Sequence, residues 1–208
     1  GLPVMHKELF LDTTEKYGKE EFRKTLAEFI TNEKPPYPLK EFNMEKVVDN
    51  FRKLQKADFT KYLSQPDNIM EKYDDYKYSY KEYGLGLIDC PSTFNYCADS
   101  FMNDLRMNCG SYGFKSPVQR WNDGDNIWGA FGPIWRGVND SKNLTPKTYT
   151  MAFRLGTYIA TQFKPIVAKT IYDMTDAKTV LDTSMGWGDR LTGFFASNAT
   201  HYILSLIH

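Results

Sequence analysis

The sequence predicts an α/β fold, in which a mostly helical N-terminal region leads into one βαβ unit of a doubly wound sheet. Two observations support this prediction. Apolar residues recur at helical spacing in several segments before residue 178, and residues 178–207 indicate a strand, a glycine-containing loop, a helix and a second strand. We place a domain boundary between residues 144 and 145. A helical, aromatic-rich region at 1–144 precedes it, and upstream helices plus the βαβ unit follow at 145–208.

The composition permits a sizeable hydrophobic core. Of 208 residues, 41% are hydrophobic and 25% are charged, and Tyr and Phe contribute 14 residues each. Large rings bury much apolar area per residue. The length suits one good-sized domain, or one domain together with part of another.

Charge and cysteine usage narrow the classes of function. Basic and acidic residues balance at 26 each, so the basic excess typical of nucleic-acid-binding proteins is missing, although a basic face offset elsewhere stays open. Three cysteines without a CxxC pair and three scattered histidines disfavour a zinc site and favour reduced thiols. The sequence has no signal peptide and no apolar run of about twenty residues, so we expect a cytoplasmic protein without a membrane span.

Three helices are predicted in the first half of the chain. Residues 9–32 carry apolar side chains at helical spacing and precede the stiff proline run at 35–38. Asn43 is a plausible N-cap for a second helix. Either Ser92 or Thr93 is placed to cap a third helix over residues 94–109.

Two polar or irregular stretches leave alternatives open. The tyrosine-rich run at 72–83 favours a solvated connector, with a base-stacking surface as the alternative. Residues 110–137 combine six glycines with tryptophans seven residues apart, which predicts a loop-rich region packed by Trp side chains. The alternative is an aromatic site for an extruded base around Trp128, Trp135 and Arg136. Residues 123–126 lack the downstream Glu of a calcium loop.

The next helical segment leads towards the βαβ unit. Thr145 is predicted as an N-cap and Pro146 as the first helical residue, with the helix running to Gln162. Pro165 then breaks or kinks the chain, and a further helix continues to Met174.

The loop after the first predicted strand is the part of the sequence that indicates chemistry. The strand at 178–182 ends on Asp182, and the next helix begins at Asp189. Gly186 and Gly188 remove side chains where a ligand must approach backbone amides, and the helix N-terminus faces the same crevice. A carboxylate before the loop disfavours a pyrophosphate and suits a positively charged amino-acid group; no GK[ST] follows, so the phosphate-loop pattern fails as well.

These residues carry a resemblance to a known family. The motif at 180–191 is V-L-D-T-S-M-G-W-G-D-R-L, and it resembles the first motif of class I S-adenosylmethionine-dependent methyltransferases. It is closest to the G-W-G-x-R-L form of phage and large-virus enzymes that act on DNA bases. Residues 153–173 are similar to the segment leading into that motif in methyltransferases of marine bacteriophages. So are two earlier stretches, Y-G-L-G-L-I-D and L-R-M-N-C-G-S-Y-G-F, and the similarity spans about residues 73–202.

The resemblance implies a Rossmann-like methyltransferase domain that binds S-adenosylmethionine. Asp182 would face the methionine amino group or the loop amides, and an upstream segment at 153–164 would help to cover the cofactor. The implied cofactor-binding residues are Asp182, Thr183, Ser184, Gly186, Trp187 and Gly188. The implied function is methylation of adenine N6 or cytosine N4 in DNA, by a viral protein in the cytoplasm of the host cell.

The sequence also departs from the family pattern. No carboxylate ends the second strand, and the family's [DNS]PP[YFW] tetrapeptide is missing, since Lys34 precedes the only Pro-Pro-Tyr. We therefore expect an incomplete domain, a fragment or frameshifted product, whose apolar edge at 202–207 is covered by the remainder of the domain or by a partner chain. The alternatives are a non-catalytic binding or structural module with a remnant cofactor loop, and a nucleotide-binding protein of another Rossmann type.

Overall fold

A computed structural model describes residues 1–64 and 87–205. Its contacts divide the chain into two compact units, which are interleaved along the sequence. The first unit comprises residues 1–41 and 103–161, and the second comprises residues 42–102 and 162–208. The sequence-based boundary between residues 144 and 145 stays a prediction, and the tyrosine-rich run at 72–83 lies outside the described residues.

The first unit is helical. Its helices are α1 (Lys7–Tyr17), α2 (Lys19–Glu33), α5 (Pro117–Asp123), α6 (Ile127–Phe131) and α7 (Pro146–Arg154), with 3-10 turns at Gly132–Trp135 and Gly137–Asn139. Helix α4 (Tyr96–Asn108) begins in the second unit and ends in the first. One helix was predicted over residues 9–32, and this is wrong. Gly18 adopts φ 80° and ψ 147°, a positive-φ conformation that favours glycine and ends α1, and α2 starts at the next residue.

Two further predicted boundaries need correction. Helix α7 is capped by the Thr145 side chain, as predicted, but it ends at Arg154 rather than Gln162. The amides of Leu155 and Gly156 bond to carbonyls three residues back, which closes the last turn at a glycine. Ser92 opens a 3-10 turn (Ser92–Phe94), and α4 starts only after it.

Rings from distant segments fill the core of the first unit. Trp121 is buried, and its indole Nε1 donates to the carbonyl of Pro35 at 2.7 Å. Its ring lies edge-on to four others, those of Tyr37, Phe131, Tyr149 and Phe153. Packing by tryptophan, predicted for residues 110–137, is confirmed for Trp121. The loop-rich backbone predicted there is wrong, because α5, α6 and a 3-10 turn form most of residues 117–135.

The second unit contains the strands. Its elements are α3 (Met44–Lys56), a 3-10 turn at Phe59–Lys61, β1 (Leu63–Ser64), β2 (Leu87–Ile88), α8 (Pro165–Met174), β3 (Thr179–Asp182), α9 (Asp189–Ala196) and β4 (His201–Leu204). Strands β1 and β2 pair antiparallel. Asn43 caps α3 as predicted, because its side chain accepts from the amide of Lys46 at 3.0 Å.

Strands β3 and β4 form the parallel pair that the sequence predicts around α9. Thr179 is in register with His201 and Asp182 with Leu204. Helices α8 and α9 approach closely because residue 193 is glycine; a Cβ there would lie 2.6 Å from that of Ala168. The described chain is thus mostly helical with a small parallel sheet.

The sheet buries one face only. Val180 and Asp182 point to the buried side of β3, whereas Leu181 is 66% exposed. Its register partner Ile203 is 55% exposed.

None of the helices among residues 1–64 and 87–205 has the length and apolarity needed to cross a membrane.

Candidate functional site

An open cleft of about 320 Å³ lies at the carboxyl end of β3. Its walls come from α8, from β3 and the loop after it, and from the first turn of α9. The lining residues are Phe163, Ala168, Ile171, Tyr172, Val180, Leu181, Asp182, Thr183, Ser184 and Arg190. Ligands of parallel α/β sheets bind at this end of the strands, so the cleft is in the position expected of a binding site.

The loop between β3 and α9 is shaped by two left-handed glycines. Gly186 has φ 62° and Gly188 has φ 79°. A Cβ at Gly186 would find no heavy atom nearer than 3.9 Å, and one at Gly188 none nearer than 3.8 Å. Both positions therefore need glycine for its backbone freedom rather than for space. Gly188 is the N-cap of α9 and makes no side-chain cap bond.

Asp182 is the most heavily bonded side chain in the cleft. It is 7% exposed, and its Oδ1 accepts from the amide of Ser184 and from Nη2 of Arg190, both at 3.1 Å. Its Oδ2 accepts from Nε of Arg190 at 2.8 Å and from the hydroxyl of Tyr202. An ionised carboxylate has about four acceptor positions, and protein donors occupy four here.

Opposing influences set the ionisation of these groups. Burial raises the pKa of the Asp182 carboxyl, but hydrogen bonds from Tyr202, Arg190 and the Ser184 amide outweigh it and hold that pKa below its usual value. Burial, followed by the bond to Asp182, raises the pKa of the Tyr202 phenol. Burial also raises the pKa of Tyr172, and the charge on Asp182 adds to this effect. Near neutral pH the site therefore holds an anion, a cation and two neutral phenols.

Arg190 is the cation of the cleft and is the more accessible partner of the pair. Its side chain is 26% exposed, against 6% for that of Asp182. The guanidinium also lies over the ring of Phe163, 5.5 Å from the ring centroid. Its Nη1 donates to none of the residues that the structure describes, so it is available to a ligand in the cleft.

A second polar cluster fixes the start of α9. The Gln162 amide donates to Oδ1 of Asp189 at 2.7 Å and to Oδ1 of Asp99 at 3.2 Å. Asp189 is buried.

Of the segment at 153–164 that was predicted to cover the cofactor, Phe163 lines the cleft, whereas Phe153 belongs to the core of the first unit.

The structure brings part of the predicted site together. Asp182, Thr183 and Ser184 line the cleft, and Gly186, Trp187 and Gly188 form the loop without lining it. Arg190, the arginine of the same motif, pairs with Asp182.

Two tyrosines of the site were missed. Tyr202 is in register with Val180, on the sheet face that Asp182 shares, so period-two alternation in both strands signals it. Tyr172 follows Ala168 by four residues, which places it on the same side of α8.

Comparisons with family models, curated proteins and solved structures find no match. The resemblance to methyltransferases therefore depends on the sequence motif and stays a prediction.

Other residues that the sequence singles out contact side chains within the first unit. Lys115 pairs with Asp123 at 2.8 Å and with Asp125 at 3.4 Å, across the stretch that was compared with a calcium loop. Trp135 packs against Phe10 and Phe22. Trp128 is half exposed and stacks on the Arg23 guanidinium, 3.6 Å from the ring centroid.

Proposed function

We propose that the βαβ unit binds S-adenosylmethionine and belongs to a class I methyltransferase. One observation supports this more than any other. The buried carboxylate of Asp182 ends a parallel strand, and a loop with left-handed Gly186 and Gly188 leads from it into the N-terminus of α9. This arrangement joins a charge that suits an ammonium group to backbone that admits close approach.

The electrostatics of the cleft favour a sulfonium amino acid over NAD or ATP. A pyrophosphate would lie beside the Asp182 carboxylate, whose low pKa keeps it charged at neutral pH. The repulsion would act in a partly buried site, where screening by water is weak. A methionine head group instead carries both an ammonium and a carboxylate, and the cleft offers a charge of each opposite sign.

The proposed methyl acceptor is a DNA base, adenine N6 or cytosine N4, in a phage or virus whose host-cell cytoplasm would be the site of action. The motif resemblance supports this part. Catalytic residues are not assigned, because the family's proline-proline-aromatic tetrapeptide does not occur in the sequence. The exposed apolar side chains of Leu181 and Ile203 support completion of the sheet by the remainder of a domain or by a partner chain.

Isothermal titration with S-adenosylmethionine tests the cofactor proposal. We expect the wild type to bind and Asp182→Ala to show no heat of binding, since the variant loses the carboxylate at the strand end. Asp176→Ala is the matched control, because Asp176 is an exposed carboxylate of the same unit, and Lys178 is its ion-pair partner among the described residues. Thermal melting of each variant separates loss of binding from loss of folding.

Two results would contradict the proposal. One is that wild-type protein releases no heat with S-adenosylmethionine, and the other is that NAD or ATP competes for the site with higher affinity.

The second candidate is a non-catalytic module in which the aromatic core of the first unit is the functional fold. The closed set of buried rings around Trp121 favours it. It predicts that deletion of residues 178–208 leaves the melting temperature nearly unchanged. A large decrease on deletion would argue against it.

A further inference from the structure

We infer that the ion pair between Arg190 and Asp182 occupies the place of the cofactor's amino-acid head group. Binding then replaces this one ion pair with two ion pairs between protein and ligand. The ligand ammonium takes the place of Arg190 on Asp182, and the ligand carboxylate pairs with the released guanidinium. This inference rests on the proposed function and adds a requirement to it, namely that the ligand be a zwitterion.

Protein donors already occupy the acceptor positions of the Asp182 carboxylate. Its two oxygens accept four bonds from Ser184, Arg190 and Tyr202. A ligand ammonium reaches this carboxylate only by displacing one of these donors.

Of these donors, Arg190 is the one that is free to move. The amide of Ser184 belongs to the backbone of the loop. The phenol of Tyr202 is held by strand β4 and by its ring, whose centroid lies 4.9 Å from that of Phe194. Arg190 reaches Asp182 through a long side chain that is 26% exposed, and it lines the open cleft. Rotation of that side chain releases two acceptor positions at once.

The displaced Arg190 guanidinium needs a new anionic partner. A guanidinium left unpaired in a partly buried cleft is costly, whereas a carboxylate matches two of its N–H groups side by side. A ligand with both charges leaves every charge paired. A ligand with an ammonium alone would separate Arg190 from Asp182 without supplying a carboxylate to pair with the guanidinium.

The shape of the cleft agrees with an amino-acid head attached to a longer ligand. Ala168, Ile171 and Val180 give it an apolar wall next to the charged pair, which suits the methylene groups between a zwitterion and a sulfonium. The cleft is open, so the rest of the ligand can extend out of it.

The test compares two ligands that differ by one carboxylate, S-adenosylmethionine and decarboxylated S-adenosylmethionine. We expect the wild type to bind the carboxylated ligand at least about tenfold more tightly, the size of one charged hydrogen-bonded contact. Arg190→Met should abolish or reverse this preference, because Asp182 is then open to any ammonium. Arg190→Lys should restore part of it, since a cation returns without the paired geometry.

Arg52→Met is the matched control, because Arg52 lies exposed on α3 in the same unit. It should keep the wild-type ratio of the two affinities. A purely structural role of Arg190 would weaken both ligands alike, so the ratio separates the two explanations.

L-Methionine, titrated into wild type and Arg190→Met, separates this inference from the cofactor proposal. If S-adenosylmethionine binds and the ratio is the same in Arg190→Met as in wild type, the exchange is wrong and the cofactor proposal stands. If L-methionine alone binds, and binding requires Arg190, the zwitterion site stands and the cofactor proposal is wrong. If the wild type binds none of the three ligands, both are wrong.

Discussion

The two compact units differ in what they bury. The first encloses aromatic rings, two of which donate hydrogen bonds to the backbone. Trp121 donates to the carbonyl of Pro35, and the Tyr149 hydroxyl donates to the carbonyl of Pro3 at 2.8 Å. The second has a smaller apolar cluster around Leu54 and Ile166, and two of its ion pairs contain a buried carboxylate side chain. These pairs are Lys169 with Asp173, and Arg190 with Asp182.

Buried apolar side chains and buried ion pairs contribute differently to stability and to binding. Apolar burial is favourable without precise geometry, and edge-to-face rings add to it. A buried ion pair costs desolvation free energy that its attraction barely repays, so it contributes little net stability compared with apolar packing. Charges with shifted pKa values in a cleft instead indicate a binding or catalytic site. We therefore expect substitutions in the first unit to change mainly stability, and substitutions around the cleft to change mainly binding.

The largest expected effect is at Trp121. Trp121→Ala leaves a large cavity among the surrounding rings and an unpaired carbonyl at Pro35, and should lower the free energy of unfolding by about 3–5 kcal/mol. Urea denaturation measures this change. Trp128→Ala is the matched control; its side chain is 47% exposed and it stacks on Arg23, so it should cost no more than about 1 kcal/mol. Equal losses in the two variants would contradict a core centred on Trp121.

An intermediate effect is expected at Gly193 in α9. Helix propensity alone predicts that Gly→Ala stabilises a helix interior by about 1 kcal/mol. Here the new Cβ would lie 2.6 Å from that of Ala168 and 2.7 Å from the carbonyl oxygen of Pro165, so Gly193→Ala should instead cost about 1–3 kcal/mol.

Gly137→Ala is the comparison for that substitution. Nothing lies within 4 Å of a Cβ at Gly137, so its effect should be close to zero. Thermal or urea denaturation compares the two variants. Stabilisation by Gly193→Ala would show that α8 and α9 do not approach as closely as described.

The smallest expected effect is a pH dependence at Asp182. The folded-state pKa of this carboxyl is lowered, so the unfolded chain binds its proton more readily than the folded chain. The stabilisation is present above about pH 4, the usual range for Asp, and is lost as the pH falls through the folded-state pKa.

Melting temperatures between pH 7 and pH 3 measure this contribution. The melting temperature of wild type should fall more steeply with acid than that of Asp182→Asn, whereas Asp176→Asn should follow the wild type. Parallel curves for wild type and Asp182→Asn would contradict an ionised, hydrogen-bonded Asp182.

Local signals made part of this structure predictable. Asn43 and Thr145 are N-caps because a short polar side chain reaches an amide in the first turn, which a sequence window of four residues contains. The βαβ unit was predicted because Gly186 and Gly188 separate a short apolar run from an amphipathic helix.

Features set by distant contacts were not predictable in this way. Apolar spacing continues across Gly18, so that spacing alone does not indicate that α1 ends there. Arg23 lies under Trp128, a partner more than one hundred residues away, and its carbonyl-bonded guanidinium has no local signature. Each unit combines two segments that are far apart in the sequence, and reading along the chain does not show which segments belong together.

The candidate site shows the same division. The strand-end carboxylate and the glycines were predicted from the motif. The partners of Asp182 were not, because Arg190 lies eight residues away across a turn and Tyr202 belongs to the next strand. Whether a carboxylate is open to a ligand or already paired depends on such contacts.

The central claim is that the loop after β3 receives the amino-acid end of S-adenosylmethionine beside Asp182. Nitrogen-15 NMR of the labelled protein during titration with S-adenosylmethionine tests it most directly. We expect signals to shift for the amides of Ser184, Gly186 and Gly188 and for the Nε–H of Arg190, which leaves its carboxylate partner. Unchanged signals at these four groups in the presence of saturating cofactor, or shifts confined to residues 1–41 and 103–161, would contradict it.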